Sequence, residues 1–209
     1  NGNLPPRTLT RAMITITEAK TEAIKELLEG SKYSNGIGTG SGTDGVIVYS
    51  NLESEAVYND SGKHSKLGEL IGKAVKKGVK EALARQSGLT PEKQKSIFRR
   101  GRRYGITAEE IWNRYVEKYP EKTEEKLEYM EFIEKIEKNE ETVALTSLYI
   151  HLLDQLEWNL LSEETVKEQC EQIRKLICDK LQINYELEEK EEKTLNYLLG
   201  RYIMTFVKY

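Results

Sequence analysis

The sequence has few of the residues that form disulfides or metal sites, with two cysteines and two histidines among 209 residues. Cys170 and Cys178 fall eight positions apart in one predicted helix, about 12 Å along its axis, which is too far for a disulfide. The two histidines do not form an HExxH or similar ligand spacing. We therefore predict reduced, packed cysteines and no metal site.

The sequence also lacks a signal peptide and any apolar run near the roughly 20 residues that a membrane-spanning helix needs. We therefore predict a cytoplasmic protein without membrane contact. The formal net charge is only −3, but residues 1–119 are net basic and residues 120–209 are net acidic. This asymmetry predicts three parts: an α+β region over 1–88, a basic helical connector over 89–119 and an acidic helical bundle over 120–209.

Glycine is abundant only between residues 36 and 45. Five glycines there alternate with small hydroxyl residues and are followed by a strand-like run: Gly36, Gly38, Gly40, Gly42 and Gly45, then Val46–Tyr49. Such a loop brings backbone N–H groups close to a ligand. The run Val46–Tyr49 predicts a buried strand. Because the strand follows the glycines, the formal GxGxxG match is not a dinucleotide fingerprint, and no Gly-Lys-Ser/Thr closes a P-loop.

His64 lies just before a predicted helix over 66–86. A helix N-terminus disfavours the imidazolium, which favours a neutral ring able to exchange a proton near neutral pH. The helix has an apolar face that we expect to be turned inward, formed by Leu67, Leu70, Ile71, Ala74, Val75, Val79 and Leu83.

Three blocks then resemble the adenosylcobinamide amidohydrolases: AMITITEAKTEA (12–23), GTGSGTDGVIV (38–48) and GKHSKLGELI (62–71). The resemblance covers about residues 1–88. It implies an enzyme of corrinoid salvage that hydrolyses the amide between the aminopropanol arm and the ring, giving adenosylcobyric acid. The corrinoid is then substrate, and no cofactor is expected. The family has further chain before these blocks, so we expect a preceding segment or a second polypeptide to complete the sheet.

Hydrolysis of an amide needs an activated water, donors to the oxyanion and an acid for the leaving amine. Asp44 or Glu18 is the candidate base, and His64 is the candidate acid. The candidate substrate-binding residues are those of the loop and two lysines: Gly38, Thr39, Gly40, Ser41, Gly42, Thr43, Lys20 and Lys66.

Each candidate also has a structural interpretation. Asp44 is equally suited to hold backbone N–H groups in a turn. Glu18 and Lys20 are candidates for ordinary surface charges; they fall on different faces of a helix over 9–29, so at most one faces the loop. For His64 the structural alternative is a helix cap or a bond to a backbone carbonyl, and for His151 a structural role is preferred.

The fold class we predict is α+β, with a small β-sheet and packed helices first, then an all-α connector and bundle. Short helices are expected over 90–104 and 108–119, and bundle helices over 123–138, 141–161, 163–181 and 190–207. The short pair flanks Gly105 beside Arg99, Arg100, Arg102 and Arg103, a pattern typical of a helix-turn-helix. Two alternatives to the hydrolase therefore stay open: a phosphate-, nucleotide- or corrinoid-binding module without turnover, and a DNA-binding regulator through 90–119. Nucleic acid is the less favoured partner.

Overall fold

The computed structural model describes residues 2–42, 44–184 and 194–207. The chain divides into two compact units, Asn1–Gln94 and Lys95–Tyr209. No helix in the described ranges combines the length and the apolar character that crossing a lipid bilayer requires.

The first unit consists of two packed helices and a long connection between them. α1 spans Pro6–Glu26 and α2 spans Lys66–Ser87. Ser65 caps α2 by accepting the Gly68 N–H at 3.0 Å, and Gly88 ends it in the left-handed conformation. At the far end of α1, Glu26 pairs with two lysines of α2, Lys76 and Lys80, which lower the pKa of its carboxyl. Polar contacts therefore join the two helices at their surface.

The predicted strand Val46–Tyr49 is wrong, and with it the α+β fold class. Residues 44–50 adopt no regular structure, and β-type pairing in the described chain is limited to two isolated bridges, Asn3–Val57 and Gly30–Ile37. β-branched residues favour a strand only where a neighbouring strand accepts and donates its backbone hydrogen bonds. No described segment does so here. The described chain is therefore helical, with a connection over 27–65 that lacks helices and strands.

The apolar face of α2 is only half covered. Of the seven residues predicted to face inward, Leu70 and Ala74 are exposed and the others are half-buried. Gly68 is the one buried residue among the described positions of α2. The helical period thus predicts which side chains share a face, but the first unit does not bury that face.

The second unit is a helical bundle, as predicted. Its α-helices are α3 Ile97–Gly101, α4 Ala108–Lys118, α5 Lys126–Glu137, α6 Glu140–Glu157, α7 Glu163–Leu181 and α8 Thr194–Phe206, with 3₁₀ turns at Arg102–Tyr104 and Pro120–Glu125. α6 packs against α3, α5 and α7, and α8 packs against α4 and α7. The helix predicted from residue 90 begins only at Ile97. The predicted start of the last helix, over 190–193, lies outside the described residues.

Candidate active site

One stretch of α1 holds both loops that carry the candidate site residues. The buried hydroxyl of Thr15 donates to the carbonyl of Ser61 at 2.9 Å, just before the His64 turn. Two turns further along, the hydroxyl of Thr21 donates to the carbonyl of Thr39 in the glycine loop at 3.0 Å. The two anchors lie about 9 Å apart along the helix axis. α1 is therefore the element that positions the site.

The glycine loop closes on α1 through Asp44. Asp44 Oδ2 lies 2.7 Å from Lys20 Nζ and accepts the backbone N–H of Ser41 at 2.8 Å, while Oδ1 accepts the Ser41 hydroxyl at 2.6 Å. The hydrogen bond from Lys20, followed by that from the Ser41 side chain, lowers the pKa of Asp44 from 3.8 to about 2. A general base works best with a pKa near the operating pH. Asp44 is therefore suited to fixing the loop in place as an ionised carboxylate. It is poorly suited to accepting a proton.

Gly40 is the glycine of the loop that this arrangement requires. A Cβ at position 40 would stand 2.5 Å from Asp44 Oδ2, so a larger residue would displace the carboxylate. Positions 42 and 45 face open space. Glycine at position 40 thus leaves room for the Asp44 carboxylate, whereas a larger side chain would fit at positions 42 and 45.

Two of the backbone N–H groups predicted to bind an oxyanion are already used. Gly38 donates to the carbonyl of Glu29 at 2.8 Å, and Ser41 donates to Asp44. The N–H groups of Thr39, Gly40 and Gly42 have no acceptor among the described residues. Thr43, also a predicted binding residue, lies outside the described residues. Among the predicted oxyanion-binding residues 38–42, the donors that remain are therefore at positions 39, 40 and 42.

His64 lies exposed in the turn that precedes α2. The helix cap is Ser65 and not His64. On the preceding residue, Lys63 Nζ lies 3.0 Å from Glu18 Oε1, an exposed ion pair that attaches this turn to α1. The ion pair therefore brings Glu18 to the turn that carries His64, and no described contact joins Glu18 to the imidazole.

The His64 turn is fixed against the first turn of α2. A Cβ at Gly68 would stand 1.9 Å from the carbonyl oxygen of Gly62, which is backbone and cannot rotate away. The Ser65 hydroxyl also donates to that carbonyl at 2.9 Å. Only glycine at position 68 permits this close packing.

Lys66, the other predicted substrate-binding lysine, is a surface residue at the start of α2. Its Nζ lies 2.8 Å from Glu69 Oε2, one helical turn away, and its side chain is largely exposed. The structure does not bring Lys66 to the glycine loop through any described contact.

The candidate residues form two groups on α1. Lys20, Asp44 and Ser41 form one, and Glu18 with Lys63, the residue before His64, forms the other. Glu18 and Lys20 leave the helix about 200° apart, in line with the expectation that they face different ways. No hydrogen bond or ion pair within the described chain joins Asp44 to His64. Two pockets, of about 660 and 850 Å³, are both lined by residues of the second unit and include none of the candidate residues.

Among the basic residues around Gly105, Arg103 has a buried structural partner. The Arg103 guanidinium makes a two-pronged ion pair with Asp154 of α6, at 2.5 and 2.6 Å, and both side chains are less than a tenth exposed. The Tyr104 hydroxyl lies 2.9 Å from the same carboxylate and 2.7 Å from Glu157, and burial followed by these acceptors raises the pKa of Tyr104. α4, which would be the recognition helix, starts with two glutamates and does not favour a DNA phosphate backbone.

Comparison with known proteins concerns the first unit. Residues 1–91 match the family model for adenosylcobinamide amidohydrolase, which confirms the resemblance of the three blocks. This match nearly coincides with the unit Asn1–Gln94 and points to a hydrolase family linked to cobalamin precursors.

An uncharacterised protein of Methanocaldococcus jannaschii is 46% identical over 87 residues, which are 41% of this chain and 33% of that protein. The chain thus spans about a third of this relative's length. No solved structure matches the chain.

Three residues that position the site were not predicted from the sequence: Thr15, Thr21 and Lys63. The two threonines lie in α1, and the spacing of apolar residues along a helix does not predict hydrogen bonds to distant carbonyls. Lys63 directly precedes His64, and this adjacency was the one available signal.

Proposed function

We propose that residues 1–91 bind adenosylcobinamide and hydrolyse the amide of its aminopropanol arm, in the cytoplasm, as a step of cobalamin precursor salvage. The observation that carries the proposal is the family match over a segment that nearly coincides with one compact unit and contains all the candidate residues. In this proposal the corrinoid is the substrate.

The proposed chemistry is an ordinary hydrolysis. The oxygen of a water attacks the amide carbon, the C–N bond breaks, and one proton of the water ends on the leaving nitrogen. The products are adenosylcobyric acid and aminopropanol. Because Asp44 is held ionised by Lys20, the proton chemistry falls to the other group of residues, with Glu18 as the base for water and His64 as the acid for the amine.

The glycine loop has the binding role. The N–H groups of Thr39, Gly40 and Gly42, which have no acceptor among the described residues, can donate to the amide oxygen as its negative charge develops. Lys20 and Asp44 hold the loop against α1, so a change in either residue acts on the reaction through the loop.

The test is release of aminopropanol from adenosylcobinamide by the purified chain, measured by mass spectrometry together with the adenosylcobyric acid formed. We expect His64→Gln to lower the rate at least 100-fold, since general acid catalysis contributes on this order. His151→Gln is the matched control, because His151 is exposed in the second unit and contacts Gln155 one turn away.

Equal loss of rate in both histidine variants, or none in either, would remove His64 from the mechanism. A folded chain that binds adenosylcobinamide without releasing aminopropanol would instead be a binding module. Absence of both binding and release would contradict the proposal.

A further inference from the structure

Five large apolar side chains are exposed within twelve residues of the first unit. We name them the 47–58 patch: Ile47, Tyr49, Leu52, Val57 and Tyr58, of which the first three are 76%, 83% and 77% exposed. Single exposed apolar residues are common on soluble proteins, but a continuous group marks an interaction surface. This patch has no role in the hydrolysis proposed above.

Burial alternates along the start of the patch. Val46, Val48 and Ser50 are half-buried, whereas Ile47 and Tyr49 are exposed. This period of two is the pattern of an extended segment with one side covered. Within the described chain, the backbone N–H and C=O groups of residues 45–49 form no hydrogen bond. The segment therefore offers both apolar side chains and unused backbone groups.

The patch is held in place by the residues next to it. Asn3 donates its N–H to the carbonyl of Ala56 and accepts the N–H of Tyr58, both at 2.9 Å. The N–H of Leu4 donates to the Ser50 hydroxyl at 2.8 Å. A surface anchored at Ser50, Ala56 and Tyr58 loses less conformational entropy on binding than a loose loop.

The rest of the first unit does not cover its apolar residues either. Its buried apolar residues, among those described, are Ala12, Ala19, Ala23, Leu27 and Leu89. Leu70 of α2 and Met13 and Ile14 of α1 are also exposed by about half. A unit of this length normally buries a larger core, so the first unit offers an apolar face to a further polypeptide segment.

The relative from M. jannaschii contains a long stretch of chain outside the region of similarity. Its similarity to the chain extends over 33% of its length, so about two thirds of it lies outside the matched residues. We propose that the 47–58 patch docks an extended, apolar polypeptide segment equivalent to part of that remainder. The backbone of this segment bonds to residues 45–49, and its side chains cover Ile47 and Tyr49. The pairing belongs to the complex, since the described chain alone has no strand at this position.

The test is co-expression of the full chain with the tagged remainder of the relative, that is, the relative without its 87 matched residues. We expect the two to copurify as a 1:1 complex, with amides of residues 45–49 exchanging at least tenfold more slowly than in the chain alone. The variant Ile47→Lys/Tyr49→Lys should weaken binding at least tenfold. Leu176→Lys should not, because Leu176 is a half-exposed leucine on α7 of the second unit.

Circular dichroism checks that each variant keeps its helices, and since all three positions are exposed, no loss of helix is expected. Failure to copurify, or a complex that Ile47→Lys/Tyr49→Lys does not weaken, would overturn the proposal. So would self-association of the chain that the same variant abolishes, because the occupant would then be a second copy. The readout is binding, so it stands apart from the outcome of the activity assay.

Discussion

Each of the two units of this chain is stabilised internally by a different kind of interaction. Among its described residues, the second unit has a core of 21 buried apolar residues, including Tyr129, Leu153 and Phe206. The first unit buries three alanines and two leucines among its described residues, and its long connection is fixed by polar contacts from α1. The second unit therefore depends on its own core, and the first depends on specific polar tethers.

Charged groups show the same contrast. The Arg103–Asp154 pair in the second unit is buried, whereas Lys63–Glu18 and Lys73–Glu69 in the first are exposed. A buried charge that loses its partner is costly, and an exposed ion pair contributes between 0 and about 1 kcal/mol. Substitutions should therefore have larger effects in the second unit.

The largest effect is expected from Arg103→Met. This change leaves the Asp154 carboxylate buried without its cation and should lower the free energy of unfolding of the second unit by about 3 kcal/mol. Both tryptophans, Trp112 and Trp158, lie in the second unit, so fluorescence during denaturant unfolding reports on this unit alone. Arg99→Met, at an exposed position, is the control and should change the midpoint little. Equal effects of the two changes would show that the ion pair does not carry this stability.

A smaller effect is expected from removing one tether of the first unit. Thr15→Val deletes the buried hydroxyl that binds the Ser61 carbonyl and should cost about 1 kcal/mol locally. The amides of Gly62 and Ser65 should then exchange roughly fivefold faster. Thr17→Val is the control, because the Thr17 hydroxyl bonds only within α1, to the carbonyl of Met13. Similar exchange in both variants would mean that Thr15 does not hold the His64 turn.

The smallest effect on stability is expected at Lys20. Lys20→Met removes the main cause of the low Asp44 pKa, which should rise from about 2 toward the ordinary 3.8. Because Asp44 is about a third exposed, the loss of stability should stay below about 1 kcal/mol. An NMR titration of the Asp44 carboxyl and the Ser41 amide measures this shift, and Lys63→Met should leave it unchanged.

The sign of the pH dependence follows from the lowered pKa. The stability that the Lys20–Asp44 pair contributes is fully present above the ordinary pKa of an aspartate and is lost as the pH falls toward 2. In Lys20→Met this loss should become smaller, with the hydrogen bonds from Ser41 as its remaining cause. A titration that is the same in the variant and the native chain would show that Lys20 is not the cause of the shift.

The sequence was sufficient to predict most helices, because their caps and periods are local. The predicted starts of the helices at residues 66 and 108 agree with the observed starts of α2 and α4. The family resemblance was likewise carried by short blocks. Local patterns therefore predicted most of the helices and the family resemblance of the first unit.

The predictions of a buried strand and of a buried apolar face on α2 were wrong for the same reason. Val46–Tyr49 and Leu70 have the pattern of buried residues, but a pattern cannot show whether a partner surface is present. The same limit applies to the site. The pairing of Lys20 with Asp44 and of Glu18 with Lys63 depends on the path of a 39-residue connection, and no local rule predicts that path.

The contact between Gly62 and Gly68 has a consequence for how this region can evolve. α2 carries two further glycines, Gly72 and Gly78, and a Cβ at either would meet nothing within 4 Å. Mutation can therefore replace Gly72 and Gly78 without a steric clash, and alanine at either position would favour the helix. At position 68 every other residue would force the histidine-bearing turn away from α2, so natural variants should retain glycine there for as long as that turn is under selection.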